Sequence, residues 1–146
     1  MASSDRSAAA GRGLSKAERA AVSQAATEAR KTKAGKDTEQ DVLDAIAAMG
    51  DSDRAIAEGL HALVKRVAPE LVPRTWYGFP DYAKNGKVVL FWQYAGKFST
   101  RYGHVGFQDI AQLDDGTMWP TAFAVTEWTP ENEQALETLI RRAVGE

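Results

Sequence analysis

All thirteen aromatic residues of this chain lie between Trp76 and Trp128, and the first seventy-five residues contain none. Aromatic side chains favour the half-buried, pleated surface of a β-sheet. We therefore predict a β-rich second half that supplies the large core side chains. The first half should consist of helices that are rich in alanine or carry leucine and isoleucine. This division constrains the fold strongly and indicates little about chemistry.

The overall composition sets the class of protein. With 146 residues, 44% of them hydrophobic, the chain can form one domain with a real core. Cysteine is absent, which excludes disulfides, thiolate metal sites and cysteine nucleophiles, and fits a reducing compartment. No apolar run reaches the roughly 18 residues that span a bilayer, and the N-terminus lacks the apolar segment of a signal peptide. We expect a cytoplasmic protein with no membrane partner.

Three helices are predicted before residue 70. Ser15 and Glu18 have the spacing of a capping box, and the helix that they open should end near Lys33. Its apolar side is almost entirely alanine, so this helix should anchor weakly or await a partner. A second capping signature at residues 37–40 begins the next helix. The third helix should run from about Ser52 to the residue before Pro69.

From Pro73 onward the pattern becomes that of strands. Asn85-Gly86 is a strong hairpin signal, because both residues tolerate positive φ. Thr129 should cap a last helix that has Pro130 at its first position. The extended segments are predicted at Arg74–Tyr77, Tyr82–Ala83, Lys87–Ala95, Phe98–Phe107 and Thr117–Glu127.

This order of elements predicts an α+β fold: a two-layer sandwich in which helices cover an antiparallel sheet. The extra N-terminal helix lies outside that unit. No alternation of strand and helix points to a parallel sheet. We divide the chain into a basic, alanine-rich arm and helix at residues 1–36 and an α+β domain at residues 37–146.

The charges follow the same division. Residues 1–36 contain eight Lys/Arg and three Asp/Glu, whereas residues 37–146 contain ten and seventeen. A basic arm on an acidic body suits an anionic partner such as RNA or a ribosomal surface, although charge alone favours a solvated, soluble tail over such a partner. The side chains that would neutralise phosphates are Arg12, Lys16, Arg19, Arg30, Lys31, Lys33 and Lys36.

Acidic residues crowd the second helix, and they are the candidate metal ligands. Their spacing of three or four residues places several of them on one helix side, where Fe²⁺, Mn²⁺ or Ca²⁺ could bind weakly. Helix N-termini also favour acidic residues without any metal. The acidic ridge consists of Asp37, Glu39, Asp41 and Asp44.

An aromatic corner at residues 76–82 is the candidate pocket. A glycine and a proline bracketed by four aromatic residues indicate a rigid bend lined with rings, and core packing at the junction of helix and sheet is the alternative. His61 is predicted to lie on the flank of the third helix. His104 is predicted to pack among aromatic rings, with a role in ligand binding as the alternative. The pocket candidates are Trp76, Tyr77, Pro80, Tyr82 and His104.

The corner also carries a family resemblance. The chain resembles the YdhG-like family of small proteins in three segments. These are Ala68-Pro69-Glu70, residues 77–82 with the pattern Tyr-Gly-Phe-Pro-Asp-Tyr, and residues 86–91. The resemblance covers roughly residues 40–144 and implies a frataxin-like fold. One branch of that family is described as intracellular iron chaperones. The resemblance implies that this chain binds iron through acidic side chains and passes the iron to an accepting protein.

No hydrolase, P-loop, dinucleotide-binding or zinc motif is present in the sequence. Catalysis usually needs a polarised pair of titratable groups, and the spacing of the residues alone does not identify such a pair. We therefore expect a non-enzymatic binding protein that requires no cofactor, with iron as its candidate ligand. RNA binding through residues 12–36 and a small-molecule pocket at the aromatic corner are the alternatives.

Overall fold

The computed structural model describes residues 15–33 and 38–146, except for the side chains of residues 29–33. Within these residues five strands form one antiparallel sheet in the order β1-β2-β3-β4-β5, and helices accompany it. The predicted α+β class is therefore confirmed. The elements are α1 (Lys16–Lys33), α2 (Glu39–Ala47), α3 (Asp51–Val67), β1 (Val72–Trp76), β2 (Phe79–Lys84), β3 (Lys87–Gln93), α4 (Ala95–Phe98), β4 (Gly103–Phe107), β5 (Ala122–Val125) and α5 (Pro130–Ala143).

Helix α1 begins with the predicted capping box. The Ser15 amide donates to Glu18 Oε1 over 2.9 Å, and the Glu18 amide donates to Ser15 Oγ over 3.0 Å. Ala21 is buried, whereas Val22 keeps 53% of its surface exposed. The alanine side of α1 therefore buries little apolar area against the rest of the chain, as its composition indicated.

Helix α2 begins next to the predicted capping segment, but Thr38 does not cap it. The Thr38 hydroxyl donates instead to the carbonyl of Pro73, 2.8 Å away, at the start of the sheet. Asp37, the first residue of that signature, lies outside the described residues. Helix α3 ends at Val67, before Pro69, as predicted. Thr38 thus connects the α2 N-terminus to β1, and its side chain makes no capping hydrogen bond to the helix.

Two turns with left-handed backbone define the strand register. Asn85 and Gly86 have φ of 52° and 78° between β2 and β3, which confirms the predicted hairpin. Tyr77 and Gly78 have φ of 52° and 87° between β1 and β2. Both flanking strands are longer than the short extended pieces predicted there, because β1 pairs with β2 over five residue pairs from Val72–Ala83 to Trp76–Phe79.

The segment after β3 differs most from the prediction. A strand was expected from Phe98 onward, yet residues 95–98 form the short helix α4, and β4 begins only at Gly103. The cause is a long-range contact: the Asp53 carboxylate accepts hydrogen bonds from the amides of Ala95 and Gly96 at 3.2 and 3.0 Å. Ser99, with φ of 55°, then ends this turn.

The last strand is also shorter than predicted. The expected strand covered residues 117–127, whereas β5 covers only Ala122–Val125. Pro120 lacks an amide hydrogen and cannot donate to a ladder. Helix α5 follows the prediction, because the Thr129 side chain accepts a hydrogen bond from the Asn132 amide and Pro130 is the first helical residue.

One main hydrophobic cluster joins the helices to the sheet. It contains buried side chains of α2, α3 and α5 together with alternate residues of the strands, among them Tyr82, Leu90, Trp92 and Val105. Neighbouring strand residues point to opposite faces of a sheet. Phe79 and Phe91 are buried too, yet they lie outside this cluster. Among the aromatic residues, Phe79, Tyr82, Phe91, Trp92 and Phe107 are buried, whereas Tyr77 and Tyr102 are exposed. The aromatic residues thus supply part of the core, and Phe79 and Phe91 belong to a second, smaller group.

Candidate functional site

A groove lies where α1, α2 and β1 meet, and two predicted site residues, Asp41 and Asp44, line it. Its volume is about 350 Å³. Three of its lining side chains are carboxylates, and among the described residues no lysine or arginine lines it. The lining residues are Ser23, Gln24, Thr27, Glu28, Asp41, Asp44, Ala45, Thr75 and Gly78.

Glu28 is the carboxylate that joins α1 to the sheet. Its Oε2 accepts a hydrogen bond from the amide of Gly78, 3.1 Å away, in the left-handed turn after β1. Its Oε1 is buried and has no hydrogen-bond partner among the described residues. Burial raises the pKa of Glu28, and the nearby Thr75 side chain, the turn amides and the charge of Lys97 oppose the rise. No local pattern marks Glu28 for this role, because it lies in mid-helix within a basic segment.

The predicted acidic ridge is divided between two environments. Asp41 and Asp44 line the groove, and Asp44 accepts a hydrogen bond from the Gln40 side chain at 2.9 Å. Glu39 instead contacts α3, and Asp37 lies outside the described residues. Within residues 15–33 and 38–146 no group of three or more His, Cys, Asp or Glu side chains has the arrangement of a metal site.

Glu39 belongs to a chain of polar contacts that the sequence did not indicate. His61 Nε2 lies 3.0 Å from Glu39 Oε2, and His61 Nδ1 lies 2.9 Å from the Tyr82 hydroxyl. Lys65 also donates to Glu39, at 3.1 Å, and this bond is the main reason that the pKa of Glu39 is lowered. Burial raises the pKa of Tyr82. The contacts join α2, α3 and β2 through a neutral phenol, and they involve no groove residue.

Asp81 on β2 is the one charged residue that is fully buried in the described part of the chain. Its Oδ1 accepts a hydrogen bond from Arg74 Nε at 3.2 Å, while its Oδ2 has no partner there. Burial raises the pKa of Asp81 to about 6; the nearby charge of Glu28 adds to the rise, and Arg74 opposes it. The sequence marked Asp81 only as a polar neighbour of the aromatic corner.

The structure separates the predicted pocket residues into two groups. Trp76 packs against Phe91 with ring centroids 5.5 Å apart, and His104 packs against the same ring at 5.9 Å. Tyr82 instead belongs to the main cluster and contacts His61. Pro80 is buried, and Tyr77 is 37% exposed at the turn. Trp76 and His104 are therefore brought together through Phe91, whereas Tyr82 lies elsewhere.

The predicted phosphate-binding side chains are described only in part. Lys16 and Arg19 are exposed on the first turns of α1. Arg30, Lys31 and Lys33 lie in α1, but their side chains are outside the described part. Arg12 and Lys36 lie outside the described residues altogether.

None of the helices in the described ranges combines the length and the apolar character that crossing a bilayer requires. Comparisons of the chain with family models, with curated proteins and with solved structures give no match.

Proposed function

We propose that this chain is a non-enzymatic binding protein and that the groove between α1, α2 and β1 receives a cation. The observation that carries the proposal is the lining of the groove: Glu28, Asp41 and Asp44 share one cavity of about 350 Å³. All the charged side chains among the described lining residues are acidic, and a concave site with charges of one sign concentrates ligands of the opposite sign. Glu28 Oε1, which is buried and has no described partner, can accept a further bond.

Fe²⁺ is the first cation to test, and the iron-binding function implied by the YdhG-like resemblance is part of this proposal. Carboxylate oxygens suit hard and borderline divalent cations. The groove keeps Asp41 and Asp44 of the acidic ridge and adds Glu28. The proposal also includes the frataxin-like two-layer arrangement, a cytoplasmic location and transfer of the ion to an accepting protein.

Calorimetric titration without oxygen tests the site directly. Fe²⁺, Mn²⁺, Ca²⁺ and spermidine are each added to the full chain, so that a metal and an organic cation can be distinguished. We expect saturable binding of at least one of them, and a loss of about tenfold or more in affinity in the double variant Asp41→Asn, Asp44→Asn and in Glu28→Gln. One lost charge–charge contact of about 1.4 kcal/mol corresponds to that factor.

The matched control is Asp114→Asn together with Asp115→Asn. It removes two carboxylates from an exposed loop that lies outside the groove. Its affinity should equal that of the wild type, because only general charge has changed. If no cation binds, or if the control and the groove variants lose affinity equally, the groove is not the ligand site.

RNA binding through the basic arm is the second candidate function. Two observations favour it: Lys16 and Arg19 are both exposed at the start of α1, and the surrounding segment carries the excess of positive charge. Affinity for a single-stranded RNA should fall steeply with salt, since each neutralised phosphate releases counterions. A chain of residues 37–146 that binds the same RNA as tightly as the full chain would exclude this function.

A further inference from the structure

A cavity lies between the β2–β3 hairpin, the segment after β4 and the end of α5. Its volume is about 340 Å³, which is within the range of ligand pockets in proteins. It shares no described lining residue with the groove between α1, α2 and β1. The residues that line it are Lys84, Asn85, Lys87, Val89, Ile110, Gln112, Ala143 and Val144.

The floor of this cavity is apolar and belongs to the core of the protein. Val89 and Ala143 keep only 1% and 2% of their surface exposed, and both are members of the main hydrophobic cluster. Ile110 and Val144 are partly buried and pack against the same cluster. Covering apolar surface that water still reaches is favourable. The floor therefore suits the hydrocarbon part of a ligand.

Backbone hydrogen bonds fix the walls of the cavity. The Gln108 amide donates to the Val89 carbonyl at 3.0 Å, and the Gln112 amide donates to the Ala143 carbonyl at 3.0 Å. The segment after β4 is thus bonded to both β3 and α5. A cavity that exists before its ligand arrives has no loop to order on binding, and this preserves affinity.

The charge at the rim is positive. Lys84 and Lys87 are paired across the hairpin and therefore share one face of the sheet. Both are exposed, and neither has an ion pair or hydrogen bond with another described residue. Like charges directly opposite each other repel, and no acidic residue lines the cavity among those described. An anion between the two ammonium groups would relieve this repulsion.

The end of α5 does not account for the two lysines. Basic side chains often bond the last carbonyls of a helix and interact with its dipole. Here the carbonyls of residues 140–143 each accept a backbone hydrogen bond, from the amides of Val144, Glu146, Gly145 and Gln112 respectively. The ammonium groups are therefore available for a ligand.

We propose that this cavity binds a small amphipathic anion. Its charged head lies between Lys84 and Lys87, and its apolar part covers Val89 and Ala143. The side-chain amide of Gln112 also borders the cavity and is able to donate a hydrogen bond to the head. A medium-chain carboxylate such as octanoate is the simplest molecule with this chemistry.

NMR titration of the ¹⁵N-labelled full chain tests the proposal, with octanoate, octanamide and acetate as probes in a buffer of low ionic strength. We expect saturable shifts at residues 84–89, 108–112 and 140–144, with a Kd for octanoate of about 1 mM or tighter. Octanamide lacks the charge and acetate lacks the tail, so each should bind at least about tenfold more weakly. Each methylene that becomes buried contributes up to about fourfold.

A pair of double variants tests the role of the two lysines. Lys84→Gln with Lys87→Gln should weaken octanoate binding about tenfold, as expected for two exposed charge contacts, and should keep the folded spectrum because both positions are exposed. Lys65→Gln with Arg101→Gln is the control, since it removes the same charge from exposed positions outside the cavity. Its affinity should equal that of the wild type.

Four results would overturn the proposal. These are no saturable octanoate binding, shifts at other residues only, equal affinity for octanoate and either of the other probes, and equal losses in the two double variants. No residue of the groove between α1, α2 and β1 takes part in these measurements, so a failure here is distinct from a failure of the proposed function.

Discussion

At the scale of single residues, the buried carboxyl of Asp81 should dominate the pH dependence of stability. Its pKa is raised from 3.8 to about 6 by burial, so its contribution is complete below pH 3.8 and is lost as the pH rises through 6. The difference amounts to about 3 kcal/mol. Urea unfolding between pH 4 and 8 should show this loss in the wild type and a much flatter curve in Asp81→Asn. An Asp114→Asn control, at an exposed position, should keep the wild-type slope.

A second residue-scale prediction concerns the hydroxyl of Tyr82. It is fully buried and hydrogen-bonded to His61 Nδ1, so Tyr82→Phe keeps the ring but leaves one histidine nitrogen without this partner. We expect a loss of about 1–2 kcal/mol in the free energy of unfolding, measured by urea unfolding at pH 7. Tyr102→Phe is the matched control, because Tyr102 is 40% exposed. An equal effect of the two substitutions would show that the His61 contact does not stabilise the fold.

At the scale of elements, the sequence correctly predicted those helix caps and turns that depend only on neighbouring residues. The capping box at Ser15, the N-cap at Thr129 and the Asn85-Gly86 turn are local, and all three are confirmed. Contacts between distant residues were not predictable in this way. Glu28 binds the amide of Gly78, 50 residues away, and no local pattern marks either residue for that contact. Of the groove carboxylates, Asp41 and Asp44 were therefore named from the sequence, and Glu28 was not.

Helix α4 is the element most dependent on such a distant contact. Asp53 accepts hydrogen bonds from its first two amides, Ala95 and Gly96, and a helix of four residues has little stability of its own. Asp53→Ala should cost about 1–2 kcal/mol and should increase hydrogen exchange at residues 95–98. Glu58→Ala, an exposed position on the same helix α3, is the control. Unchanged exchange at α4 in Asp53→Ala would show that the segment forms its helical turn without this carboxylate.

At the scale of the whole molecule, stability should be concentrated in residues 38–146. The main cluster contains side chains of α2, α3 and α5 and of four strands, but none of α1. The two chain halves are also joined by Trp128, whose indole packs directly on Gly59 of α3, where a Cβ atom would collide with it. Helix α5 is therefore part of the cooperative core although it comes last in the sequence, whereas α1 is attached at its edge.

Two truncations test this division of stability. A chain of residues 37–146 should remain folded and lose about 2 kcal/mol, because the contacts of α1 with the body in the described part of the chain include two hydrogen bonds of roughly 1 kcal/mol each and one buried alanine. A chain that ends at residue 129 should fail to fold, because Leu136 and Ile140 of α5 leave the main cluster and each large buried side chain contributes about 2 kcal/mol or more. Circular dichroism and urea unfolding report both results. If residues 37–146 lacked a cooperative transition at 25 °C, α1 would be a structural part of the core, and the domain boundary at residue 37 could not be retained.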